Sequence, residues 1–138
     1  MRITGGLLRG RKLPLQKGGM VRPTSDRVRE ALFSILGQNM EGCKVLDVYG
    51  GSGILSFESL SRGAESAVIF DKDKRAVHQC SQVSEALGLT ERVQIRRGVV
   101  PKCLPLSGQF EIIFVDPPYA QDAGSVLTRL TPLLSGVL

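Results

Sequence analysis

The sequence predicts an α/β fold, a parallel sheet with helices on both faces. Three observations lead there: four short apolar runs rich in β-branched residues, helical periodicity between them, and a glycine turn directly after the first run. Strands separated by helices form βαβ units, and a crossover of that length returns each strand parallel to the last. In such sheets ligands bind beyond the carboxyl ends of the strands, so chemistry is sought there.

Residues 2–20 mix glycines and basic side chains with short apolar pieces (Leu7-Leu8, Leu13-Pro14-Leu15) and read as a basic hairpin or loose ribbon. A helix begins near Pro23-Thr24-Ser25-Asp26. Thr24 or Ser25 can cap it, and Asp26 suits its positive first turn. Val28, Ala31, Leu32, Ile35 and Leu36 then follow at i, i+3, i+4, i+7 and i+8, and Gly37 ends it. That stripe is expected to pack on the core and to leave Arg22, Arg27 and Arg29 to solvent or a ligand. Strands are expected at 44–48, 66–70, 93–97 and 110–115. Helices are expected at 54–62, stopped by Gly63, at 74–87, stopped by Gly88, near 102–104, and at 122–134.

Charge divides the chain. Its 138 residues carry a formal +5, yet residues 1–40 hold eight basic and two acidic groups, a net +6, and residues 41–138 hold ten and eleven, a net −1. A one-ended excess suggests a polyanion-binding extension over 1–40, including the capping helix, beside a near-neutral domain over 41–138. At 42% hydrophobic and 22% charged residues the chain reads as globular, which argues against disorder, a disulfide scaffold or a repeat array. No apolar run approaches the roughly 18 residues of a membrane span, and Met1-Arg2-Ile3-Thr4-Gly5-Gly6 has no signal-peptide core, so a cytoplasmic protein with no membrane partner is expected. Cys43, Cys80 and Cys103 are odd in number and form no C-x-x-C pair. They read as free buried thiols, with neither a disulfide framework nor a metal site.

Three motifs carry chemistry. Val45-Leu46-Asp47-Val48-Tyr49-Gly50-Gly51-Ser52-Gly53 runs from a strand through a glycine turn into a helix, where backbone can approach a ligand closely and free N–H groups face it. A nucleotide-like cofactor fits; a dinucleotide fingerprint fits less well, since the third glycine is missing. Asp71, followed by Lys72, closes the second strand some twenty residues on and is placed to accept hydrogen bonds from ribose hydroxyls, while Asp73 more simply caps the next helix. The most specific motif is Ile112-Ile113-Phe114-Val115-Asp116-Pro117-Pro118-Tyr119. A strand delivers a carboxylate, two prolines lock the backbone, and an aromatic ring follows. Such a group suits a planar amine: Asp116 and the Pro117 carbonyl can accept its N–H bonds and Tyr119 can stack on its ring.

With these motifs the chain resembles the class I S-adenosylmethionine-dependent methyltransferases, and more closely the RsmD-type family that methylates guanine N2 of small-subunit (16S) ribosomal RNA. The resemblance runs from Arg2-Ile3-Thr4-Gly5-Gly6 and Gly10-Arg11-Lys12-Leu13 through Arg22-Pro23-Thr24-Ser25-Asp26-Arg27-Val28-Arg29-Glu30-Ala31-Leu32-Phe33 to the glycine turn and Asp116-Pro117-Pro118-Tyr119. It implies a Rossmann-like sheet with S-adenosylmethionine as cofactor. Asp47, Tyr49, Gly50, Gly51 and Gly53 would line its methionine part, Asp71 and Lys72 would flank the ribose, and Asp116 to Tyr119 would hold the target base. Arg2, Arg9, Arg11, Lys12, Arg22 and Arg27 would grip ribosomal RNA, naked or within a small-subunit particle, with the protein acting as a monomer.

The family usually carries Phe-Ala where Tyr49-Gly50 stands, and an acid that bonds adenine where Val99 stands. Its members also continue past Leu138 for several elements, which implies that the last strands are missing. The only histidine, His78, lies inside a predicted helix and is given no catalytic role. Competing readings are a DNA adenine-N6 methyltransferase, which shares D-P-P-Y; a protein-glutamine methyltransferase, which usually has Asn at the position of Asp116; a non-catalytic RNA-binding domain; and a dehydrogenase.

Overall fold

The computed structural model describes residues 1–14, 26–37, 39–98 and 110–115. Helix α1 spans Asp26–Leu36, β1 Lys44–Asp47, α2 Ile54–Ser61, β2 Ser66–Asp71, α3 Lys74–Leu87, β3 Val93–Arg97 and β4 Ile112–Phe114, with a 3-10 turn at Thr90–Arg92 before β3. The four strands form one sheet in the order β3-β2-β1-β4, and all three pairings are parallel. β1 and β2 match Lys44 to Ser66, β1 and β4 match Asp47 to Phe114, and β2 and β3 match Asp71 to Arg97. The chain builds β1, β2 and β3 in one direction and then returns to place β4 on the other side of β1. The switch point of the sheet therefore lies between the carboxyl ends of β1 and β4.

Alternation along the strands sorts their side chains to two faces. Val45, Ala67, Ile69 and Phe114 join Phe57 and Leu60 of α2 and Cys80, Val83 and Leu87 of α3 in one cluster, while Leu46, Val48 and Phe70 form a second cluster. Burial on both faces is why β1 reads as an apolar run. The helices expected near 102–104 and at 122–134 lie outside the described residues.

Every residue of α2 is buried. The sheet covers one side, and a hairpin ribbon over residues 1–13 runs along another. Arg2 and Lys12 bridge antiparallel, Ile3 N donates to Arg11 O at 3.0 Å, and Leu13 N donates to Met1 O at 3.0 Å. Ile3 and Leu13 face inward at 1% and 5% exposure, and Arg2 and Lys12 face out. Gly6 lets the ribbon touch the helix end: its φ is +80°, and a Cβ there would lie 2.0 Å from Ser61 O.

Helix α1 departs from the expected orientation. Val28 and Ile35 are 55% and 83% exposed and Leu36 is partly exposed, whereas Arg29 and Phe33 are fully buried. The buried side is offset from the apolar stripe by ~100°, about one residue's step. The cause is a buried carboxylate: Glu58 on α2 forms an ion pair with Arg29, whose guanidinium also reaches Asp26 and Arg2 O at 2.5 Å each. Phe33 lies under the Arg62 guanidinium, 4.7 Å from carbon to ring centre, and meets Phe114 edge-on. A charge that cannot be left alone in the core outweighs the gain from burying the stripe.

Candidate functional site

The glycine turn is tied to three neighbours. On one side Val48 N donates to Phe114 O of β4 at 3.0 Å; on the other, Gly50 N donates to Phe70 O at 2.8 Å and Gly51 N to Asp71 Oδ2 at 2.9 Å. From below, the Cys80 thiol on α3 donates to Gly51 O at 3.3 Å. Gly53, at φ 76°, then starts α2.

Two carboxylates flank this turn. Asp47 ends β1, is almost fully buried and accepts from Ser56 Oγ at 3.0 Å. Asp71 ends β2, is half-buried, and uses its second oxygen to accept from Asp73 N at 2.8 Å. Asp73 in turn caps α3 by accepting from Arg75 N at 2.8 Å, as the sequence suggests. An ionised carboxylate offers about four acceptor positions, so these bonds leave Asp71 capacity for further donors. Both acids are felt at the turn: burial first, then the charges of Asp47 and Asp71, push the Cys80 thiol up to about 12. Burial likewise raises the Tyr49 hydroxyl. The turn is thus a site of negative potential with a buried, neutral thiol beneath it.

A second cluster holds the ribbon on α2. Glu58, fully buried, accepts from Thr4 N and Thr4 Oγ1 at 2.8 Å each through Oε1, and from Gly5 N at 3.1 Å and Arg62 Nε at 3.3 Å through Oε2, with Arg29 Nε 3.6 Å away. Ser61 adds two ribbon bonds, from Leu8 N and to Gly5 O. A cleft of about 460 Å³ opens between ribbon and α1, lined in part by Arg9, Glu30, Ser34 and Arg62. Since Arg62 caps the carboxyl end of α2, whereas the glycine turn precedes its amino end, this cleft is not the glycine turn.

Of the sequence-based candidates, Asp47, Tyr49, Gly50, Gly51, Gly53 and Asp71 come together at the carboxyl ends of β1 and β2, with exposed Lys72 next to Asp71. Arg2, Arg9 and Lys12 are exposed on the ribbon. Arg11 is exposed too and donates to Ala86 O at the end of α3, and Arg27 is exposed on α1. Arg22, Val99, Cys103 and the Asp116-Pro117-Pro118-Tyr119 group lie outside the described residues. Of the other cysteines Cys80 is buried and Cys43 half-buried; His78 is exposed. Sequence reasoning missed Glu58 and the contact of Cys80 with the turn. A lone acid among apolar residues in Ile54-Leu55-Ser56-Phe57-Glu58 was the available signal for the first; nothing marked the second. Among the described residues no group of three His, Cys, Asp or Glu could hold a metal ion, and no helix is long and apolar enough to cross a membrane.

The family model described as "Conserved hypothetical protein 95" matches residues 1–135. The chain belongs to this family, the RsmD-type methyltransferases. Bacillus subtilis YlbH, whose name makes it a candidate rRNA methyltransferase, is 34% identical over 134 residues, covering 94% of this chain and 73% of its own. Ribosomal RNA small subunit methyltransferase D of Escherichia coli K12 is 35% identical over 119 residues, covering 86% of this chain and 60% of its own. The chain therefore spans about three fifths of the length of the E. coli relative. Among solved structures, a hypothetical protein of Thermus thermophilus superposes with a TM-score of 0.85 at 30% identity, covering 100% of this chain and 80% of that one. The sheet order and the helices described above are thus those of a class I methyltransferase. Within the RsmD-type frame the departure at Gly50 acquires a physical partner: a Cβ there would lie 2.1 Å from Ile69 Cγ2, so the isoleucine methyl fills the place that the usual alanine would take.

Proposed function

We propose that this chain, as part or all of an RsmD-type enzyme, transfers a methyl group from S-adenosylmethionine to the exocyclic N2 of a guanine in small-subunit (16S) ribosomal RNA. One observation carries the reading. The glycine turn and its two carboxylates form one lip of the switch point between β1 and β4, and the D-P-P-Y sequence begins two residues beyond β4. The relatives named as ribosomal RNA small subunit methyltransferases supply the substrate class.

The described residues fit the cofactor. It carries a positive sulfonium, an ammonium group and a ribose diol, and two carboxylates, Asp47 and Asp71, flank the turn. In this assignment Asp71 holds the ribose with Lys72 beside it, and Asp47, Tyr49, Gly50, Gly51 and Gly53 line the methionine end. When bound, S-adenosylmethionine supplies a methyl group on a positive sulfur that leaves as a neutral thioether. Asp116 and the Pro117 carbonyl accept the two hydrogens of guanine N2, and Pro118 keeps the backbone rigid. Accepting those bonds localises a lone pair otherwise spread into the purine ring and aims it at the methyl carbon, so catalysis is mainly positioning and electrostatics. With the cofactor held there, an N–C bond would form as the C–S bond broke, and the proton lost by N2 would pass to solvent. Tyr119 stacks on the base once it has left its own stack. Residues 1–40 serve as the RNA grip and residues 41–138 as the catalytic unit.

The test is methyl transfer from labelled cofactor to small-subunit ribosomal RNA, followed by nucleoside analysis. N2-methylguanosine in the product, abolished by Asp116→Ala while cofactor binding by calorimetry stays nearly intact, is the expected result. Label in adenine-N6 of DNA instead would support the rival that shares D-P-P-Y, and unchanged turnover in Asp116→Ala would remove its assigned role.

A further inference from the structure

The near-neutral balance of residues 41–138 hides a local concentration. Of the ten basic residues in that stretch, five are Lys72, Lys74, Arg75, Arg96 and Arg97, and the fold brings them to the carboxyl ends of β2 and β3, Arg97 on the face that α3 covers and Arg96 on the opposite one. Asp71 at the end of β2 pairs in register with Arg97 at the end of β3, and Phe70 pairs with Arg96. Arg97 Nε donates to Lys72 O at 3.2 Å, and α3 starts with Lys74 and Arg75 directly after Asp73. All five cations are exposed. Only Asp71 and Asp73 oppose them within these two segments. Both also accept local bonds, Asp71 from the amides of Gly51 and Asp73, and Asp73 from the amide of Arg75 with its guanidinium 3.7 Å away.

We propose that Lys72, Lys74, Arg75, Arg96 and Arg97 form a second RNA-binding surface that holds the phosphodiester backbone on the β3 side of the cofactor turn. The inference rests on the function proposed above and adds a contact surface to it. Charge complementarity selects the occupant: the two segments carry a net of three positive charges, and exposed guanidinium and ammonium groups pair with phosphate oxygens. None of the exposed large hydrophobic residues of the described chain, Leu7, Val28, Ile35 and Leu36, belongs to it. A protein partner ordinarily needs an apolar centre, whereas a phosphate backbone does not. The position also matters. The start of the ribbon reaches the same turn, with the Met1 sulfur 3.9 Å from Ser52 Oγ, and Gly51 of that turn bonds to Asp71. RNA whose target base enters the switch point would meet both the ribbon and this rim.

The experiment uses the whole chain. Binding of a small-subunit ribosomal RNA fragment is measured over a range of salt concentrations for the unaltered protein and for Lys74→Ala/Arg96→Ala/Arg97→Ala. The slope of log affinity against log salt should shrink by about 2, from ~0.7 per phosphate neutralised on single-stranded RNA. Cofactor binding should be unchanged. Lys74→Ala/Arg96→Ala alone, which spares the bond from Arg97 to Lys72 O, should lose about 1.4 on the same scale. Unaltered slopes in both variants, with normal RNA binding, would overturn this surface and leave the proposed function standing. Failure of the unaltered protein to bind RNA would overturn both. Binding of an acidic protein in place of RNA, abolished by the same substitutions, would also overturn it.

Discussion

Replacing Glu58 by alanine is expected to cost about 3–5 kcal/mol of folding stability, the usual consequence of removing one partner from a buried ion pair. The structure explains why the effect falls in that range. The Glu58 carboxylate is fully buried and is shared by two cations, Arg29 and Arg62, whose side chains are 0% and 4% exposed. It also satisfies the amides of Thr4 and Gly5 and the Thr4 hydroxyl. Losing an acceptor costs a buried donor about 1–3 kcal/mol, but these contributions do not add. Thr4 and Gly5 can reach water once the ribbon lifts, while Arg29 keeps Asp26 and Arg62 keeps the Phe33 ring.

Urea unfolding provides the assay. With a slope of about 1.5–2 kcal/mol/M, a loss of ~4 kcal/mol lowers the midpoint by roughly 2 M. Hydrogen exchange then localises the damage: the Thr4 and Gly5 amides should lose protection more than those of β1 and β2. Glu58→Gln should lie between the two proteins, because its amide keeps one acceptor but turns an NH₂ group toward donors. A loss below about 1 kcal/mol, the size of a surface ion pair, would refute the reasoning. So would equal loss of protection throughout the chain.

Two further predictions concern the turn. Gly50→Ala should destabilise the fold and weaken cofactor binding, because its Cβ would press on Ile69 Cγ2, and adding Ile69→Ala should recover part of the loss of binding; equilibrium unfolding and calorimetry on the three variants check this, and no recovery would deny the steric cause. The Cys80 thiol, pushed up to about 12, should resist iodoacetamide at pH 8.5 in the folded protein while half-buried Cys43 reacts, with the labelled peptides quantified by mass spectrometry. Because the folded value lies above the ordinary thiol value of 9.0, Cys80 contributes stability that is complete below about pH 9 and is lost as pH rises toward 12. Cys80→Ala should remove that part of the alkaline decline.

Most of the sheet is visible in sequence because its signals are local and strong. The run Val93 to Arg97 and the helix Lys74 to Leu87 match the expected bounds, since Gly88 ends the helix and the β-branched residues alternate. Ends shift where pairing decides: β2 gains Asp71, whose partner is Arg97, and β4 shortens to the three residues that face β1. The glycine turn and Asp71 are legible from spacing, and Asp47 from the family resemblance. The orientation of helix α1 is not, because a helix reveals from its own sequence which residues are apolar but not what lies opposite. Glu58 lies 29 residues after Arg29, and the burial of that carboxylate is fixed by the ribbon and the sheet together.

The same distinction governs the reading of charge. Summed along the chain, the cations belong to the first 40 residues and the remainder is slightly acidic. In three dimensions the acids and bases of the remainder separate. Asp47 and Asp71 turn their charge toward the glycine turn, while Lys72, Lys74, Arg75, Arg96 and Arg97 spread over the exposed rim beside it. A cationic cofactor and a polyanionic substrate require opposite potentials within one crevice, and neighbouring strand ends provide both. Segment totals average those potentials away, because the residues that create them alternate along only a few positions at the ends of β2 and β3. A net charge near zero over such a segment therefore does not argue against RNA contact, and the salt slope of the rim variants measures how much of the grip lies outside the ribbon.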